Sequence, residues 1–95
     1  MADYCYLVTV SGYEEYDVLG IYRSYKSAVG CWERLRQNLR EEVQSMINYT
    51  TLHRLTESER DYHLQLLELE RLTPRKTKHR YISRVPAIEK RELEP

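Results

Sequence analysis

The residues best suited to do chemistry are concentrated in positions 71–84. Arg71, Arg75, Lys76, Lys78, Arg80 and Arg84 fall there without an intervening acid, and His79 and Tyr81 lie among them. Clustered lysine and arginine meet the needs of phosphate contact, and neighbouring rings can stack on bases. Arg75, Lys76, Lys78 and Arg80 are therefore the candidate nucleic-acid contacts. The rest of the chain argues the other way. Lysine plus arginine and aspartate plus glutamate each number 15, so the formal net charge is zero and no long-range field steers a polyanion. The three glycines, at 12, 20 and 30, build no phosphate-cradling loop. Glu57, Glu59, Asp61, Glu68 and Glu70 just upstream balance the basic run, which reads first as a solvated surface.

A second constellation is Tyr13, Glu14, Glu15, Tyr16 and Asp17. Paired carboxylates perform acid–base catalysis only when their surroundings separate their pKa values, and a solvated turn does not do that. Tyrosine combines an apolar ring with a polar tip and is enriched at protein interfaces. Tyr13, Tyr16, Glu14 and Glu15 are thus candidate protein contacts. His53, His63 and His79 have no spacing that brings two onto one helical face as metal ligands. Cys31 sits among apolar neighbours with no base in view, and Cys5 lies in a strand-type run, so neither is a candidate nucleophile. No catalytic residue, metal ligand or cofactor is assigned, and the chain is read as a non-enzyme.

The elements that position these residues follow from periodicity. Residues 4–10 are dense in aromatic and β-branched types and predict a strand with apolar groups on both faces, which suits a central position. Residues 11–17 predict a connection, with Gly12 as its turn residue, and residues 18–22 a second, antiparallel strand. Gly20 inside that strand predicts a bulge or the close approach of a ring or backbone. Residues 24–47 carry Ala28, Cys31, Trp32, Leu35, Leu39, Val43, Met46 and Ile47 at steps of three and four. That is the stripe of a long amphipathic helix with Ser24 as its N-cap. Residues 48–51 are poor helix formers and predict its end or a kink.

Thr56 and Glu59 are spaced as a capping box for a second helix running to about residue 72, before Pro74. Residues 79–88 predict a third strand, with Pro86 forcing that end to an edge. Residues 89–95 are charged and predict a frayed tail. The fold class is α+β: a small antiparallel sheet of about three strands in the order ββααβ, with two helices on one face, forming one domain over residues 1–88.

The pattern Gly20-Ile21-Tyr22-Arg23-Ser24 with Ala28, and the closing Tyr81-Ile82-Ser83-Arg84-Val85, resembles a group of small phage and bacterial domains of unknown function. The resemblance covers about residues 4–47 and 80–88; residues 48–79 depart from the shorter versions. It implies a ββαβ or ββααβ core and a phage or mobile-element origin, and it transfers no active site.

Nine tyrosines, no phenylalanine and a small core favour a non-catalytic protein-binding role. With the resemblance, the expectation is a phage-encoded accessory protein acting on a host protein, such as a host-defence or anti-CRISPR-type inhibitor. Nucleic-acid or nucleotide binding through residues 71–84 is the alternative. A helix of 24 residues outruns strands of five to seven, so Val43, Met46 and Ile47 are expected to overhang the sheet; either the second helix, through Tyr62, Leu66 and Leu69, covers them within the chain, or Met46 and Ile47 form a homodimer interface, which is the expectation adopted. No apolar run is long enough to span a membrane and no signal peptide is visible, so the expected location is the cytoplasm, including a host cytoplasm.

Overall fold

A computed structural model describes residues 3–12, 14–75 and 82–93. The chain runs β1 (Tyr4–Gly12), β2 (Glu15–Tyr22), α1 (Tyr25–Leu52), α2 (Thr56–Glu70) and β3 (Val85–Glu92). The sheet order is β2-β1-β3 and both pairings are antiparallel. This is the expected α+β fold, with β1 central.

Centrality follows from composition. Cys5, Leu7, Val8, Thr9 and Val10 of β1 are all buried, a run that only a strand covered on both faces can satisfy. Its hairpin with β2 is tighter than the expected seven-residue connection. Pairing extends to Gly12 and Glu15, and the left-handed backbone falls on Glu14 (φ 63°) rather than on glycine. Gly12 serves a different purpose: a Cβ there would lie 2.9 Å from the Ser83 carbonyl oxygen. The register shifts between Val8 and Thr9, opposite Gly20, and the Tyr22 ring lies over Gly20 where a Cβ would meet it at 2.6 Å. Both readings of Gly20 thus hold at once.

Helix α1 serves two neighbours with one side. Ser24 caps it, its hydroxyl accepting from the Ser27 amide at 3.0 Å. Ala28, Trp32, Leu35 and Leu39, at steps of four, three and four, face the sheet. Arg40, Val43, Ile47 and Thr50, at steps of three and four, form the flank beside α2, where Arg40 pairs with Glu70 at 2.7 Å. The buried cluster joins Val8, Ala28, Trp32, Leu69, Leu72 and Val85. At its centre the Trp32 indole N–H donates to the Pro86 carbonyl at 2.9 Å.

Three expectations need correction. First, α1 does not end near residue 47 but continues to Leu52, because Ile47 and Thr50 gain burial against α2 that outweighs weak propensity. The Thr50 hydroxyl also donates back to the Ile47 carbonyl. Second, the capping box does not form. Leu55 is the N-cap of α2, without a side-chain bond, and Glu59 instead accepts from the Thr51 hydroxyl at 3.0 Å, tying α2 to the end of α1. Third, residues 89–92 are not a frayed tail. They complete β3, pairing through to Tyr4–Glu92, because ladder bonds are backbone bonds and an edge strand tolerates charged side chains. Residues 79–81 of the expected third strand, and 94–95 of the tail, lie outside the described residues.

The α1–α2 corner closes as a Schellman motif. The Leu55 amide donates to the Thr50 carbonyl at 2.8 Å and the Arg54 amide to Thr51 at 3.3 Å, with Arg54 at φ 57°. A left-handed arginine is strained by about 1–2 kcal/mol, partly offset by the greater unfolded-state freedom of a glycine replacement. Arg54→Gly should therefore raise the unfolding free energy by about 0.5–1 kcal/mol, read by urea denaturation. Trp32→Phe should lower it by about 1–3 kcal/mol, because the Pro86 carbonyl is left buried without a donor. Equal midpoints for wild type and Trp32→Phe would remove this bond from any structural role.

Candidate functional site

Helix α1 packs on one face of the sheet and α2 packs against α1; among the described residues no helix covers the other face and no strand pairs with the outer edge of β2. Cross-strand partners share a face, so the register assigns Leu7, Ile21 and Glu89 to the open side, together with Thr9, Val18 and Ala87. Leu7, Thr9 and Ala87 are nevertheless buried there. Tyr16 reaches over this face from the hairpin end. From its place beside Ser11 its ring crosses β1, and its hydroxyl donates to Glu89 Oε2 at 2.6 Å. Glu89 in turn lies 3.5 Å from the Arg91 guanidinium. The bond to Glu89, then burial, then the carboxylate charge push the Tyr16 phenol above its ordinary value of 10.0.

Beside this polar roof the surface is apolar. Val18 is 44% exposed and Ile21 68%. Leu19, displaced by the bulge and 50% exposed, lines a groove of about 160 Å³ with Val10, Leu35 and Leu39 on the helix side. At the hairpin end, Glu14, Glu15, Tyr16 and Asp17 line an open recess of about 640 Å³ with Arg84. The structure thus gathers the predicted contacts Glu14, Glu15 and Tyr16 and adds an arginine distant in sequence; Tyr13 lies outside the described residues. Val18 and Ile21 were missed as contacts. Residues 18–22 read as a strand, but the bulge that brings Val18 and Ile21 onto one face, and the lack of a helix over that face, were not visible in them.

The other predicted contacts separate. Ile47 is 5% exposed, so it is removed from the candidate interface: α2 folds back along α1 and covers that part of the overhang within the chain. Met46 remains 41% exposed on the neighbouring turn face. Of the candidate nucleic-acid contacts, Arg75 is described and exposed, whereas Lys76, Lys78 and Arg80 lie outside the described residues.

Among the described residues, no group of three or more His, Cys, Asp or Glu is placed to hold a metal ion. Cys5 and Cys31 are both free thiols. Interaction with the Cys31 thiol, followed by burial, raises the Tyr22 phenol from its ordinary value. His53 rests against the Tyr49 ring at 4.3 Å, and His63 lies 3.6 Å from Glu59. Compared with known proteins, the chain matches no family model, no curated protein and no solved structure.

The Tyr16–Glu89 bond carries a pH signature. Because the folded phenol ionises above its unfolded value, the bond's contribution is complete below about pH 10 and disappears as pH rises through the folded value. Spectrophotometric titration should show late phenolate steps for Tyr16 and Tyr22, of which Tyr16→Phe removes one and leaves the other. Late steps unchanged in number in Tyr16→Phe would break this assignment.

Proposed function

We propose that the chain is a non-catalytic protein-binding module that acts through strand β2 and the open sheet face beside it. One observation supports this reading above others: along β2, Tyr16, Val18, Leu19 and Ile21 are all exposed, although tyrosine and branched apolar side chains of this kind ordinarily find cover. The strand also lies at the sheet edge, so among the described residues no strand pairs with its outward N–H and C=O groups, which suit the addition of another strand. The opposite edge is guarded: β3 carries Pro86, Lys90 and Arg91, residues that discourage pairing. β2 contains neither proline nor lysine.

The partner with the best complementarity is a second copy. Antiparallel self-pairing about Leu19 sets Glu15 of each copy opposite Arg23 of the other, and Tyr16 opposite Tyr22. A two-fold dimer built this way replaces the Met46–Ile47 interface with one centred on β2. The resemblance to phage domains supports a wider version, in which the same edge engages a host protein in the cytoplasm and inhibits a defence function. No helix among the described residues is long and apolar enough to cross a membrane.

Sedimentation velocity over a dilution series tests the dimer. Wild type should show a concentration-dependent dimer, and Val18→Lys with Ile21→Lys should sediment as a folded monomer. A wild type that is monomeric throughout would remove the two-fold pairing. Recovery of a heterologous partner whose binding survives both lysines would remove the β2 surface altogether.

A further inference from the structure

On the helix-covered side, beyond the start of α1, the sheet carries a cleft that the protein-binding surface does not use. Tyr6, Tyr25, Arg75, Ile88 and Lys90 line it, enclosing about 320 Å³. The topology explains the convergence. Lys90 is the cross-strand partner of Tyr6, so both side chains rise from the same face. Tyr25 is the first residue of α1 and meets Tyr6 edge-on, with ring centroids 5.5 Å apart. Arg75 follows Pro74, whose carbonyl accepts from the Ile88 amide at 2.7 Å and pins the connection to β3.

The lining has a consistent chemistry. Among the described residues it contains two cations and no acid. Neither cation is paired with a described carboxylate; Lys90 lies instead over the Tyr4 ring, 4.1 Å from its centroid. The first turn of α1 also contains no acidic residue, so the positive end of its peptide dipoles is not neutralised from within the helix. Tyr25 remains 41% exposed, its ring inclined at 65° to that of Tyr6, with area left for a second ring. Cations unpaired by the described acids favour an anion, and an available aromatic surface favours a flat ring. The volume exceeds what a bare phosphate fills and falls at the lower end of small-molecule sites.

We infer that the cleft binds a nucleotide, its base against Tyr25 and its phosphate between Arg75 and Lys90. This site is separate from the β2 surface and stands or falls independently of it. The shared chemistry, a heteroaromatic ring joined to a phosphate, is met by a free mononucleotide or by the phosphorylated end of a nucleic-acid strand.

Titration calorimetry with adenosine monophosphate, adenosine and inorganic phosphate tests the inference, with circular dichroism as the folding control. Adenosine monophosphate should bind saturably, and adenosine and phosphate each at least about tenfold more weakly, since each keeps only part of the recognition. Arg75→Gln and Lys90→Gln should each weaken the nucleotide about tenfold or more, and Tyr25→Ala about five- to a hundredfold. Competition by a 5′-phosphorylated oligonucleotide supports the cleft and assigns the strand end as ligand; failure to compete, with the nucleotide bound, supports it and assigns the free form. Absence of saturable nucleotide binding, equal binding of phosphate alone, or indifference to all three substitutions in folded protein would overturn it.

Discussion

The indole of Trp32 holds the two layers together. It is 2% exposed, it fills the space between α1 and the sheet, and its only polar atom is satisfied by the carbonyl of Pro86. The residue it grips is on the strand furthest away in sequence, at the edge of the sheet. Proline cannot donate to the ladder, yet its carbonyl still accepts. One side chain thereby fixes the position of α1 against β3, and every surface feature inherits that alignment. The cleft needs Tyr25 and Lys90 on the same side of the sheet, and the groove at Leu19 needs Leu35 and Leu39 directly above it.

The remainder of the architecture follows from dividing α1 between two supports. Its first half rests on the sheet through Ala28 and Trp32; its second half has only α2 beside it, through Ile47 and Thr50. The molecule is consequently elongated, 58 by 24 by 18 Å. With α1 on one side of the sheet and α2 packed on α1, no helix within the described chain is left to cover the second face of the sheet. Tyr16, Glu89 and Arg91 form a partial roof, and Val18 and Ile21 remain in solvent. The exposed apolar surface thus comes from how a small chain allocates its helices.

Much of this fold was legible in the sequence because the relevant signals were local. The β1 run, the Gly20 irregularity, the Ser24 cap and the stripe through Trp32 each depend on neighbours a few residues away. The boundaries that failed depended on distant partners. Residues 48–52 are helical because α2 lies beside them, and residues 89–92 are a strand because β1 offers an edge; neither fact is visible in their own composition. Glu59 illustrates the competition directly: its spacing from Thr56 suits a capping box, but the Thr51 hydroxyl claims it. The candidate sites were legible in part. Glu14, Glu15 and Tyr16 do gather at the hairpin end, while Arg84 and Glu89 join them only through the fold. Ile47 looked like overhang because the sequence could not show where α2 returns.

The contrast between the two sheet edges sets a limit on growth. A sheet open on both sides can lengthen without end, each added strand exposing the next. Here the outer strand at one side bears proline and clustered cations, and among the described residues the strand at the other side bears neither proline nor lysine. A strand added to β2 would therefore leave this chain's other edge guarded. A two-fold copy would consume both β2 edges and leave two guarded ones facing outward, so the assembly closes on itself rather than extending into a fibre.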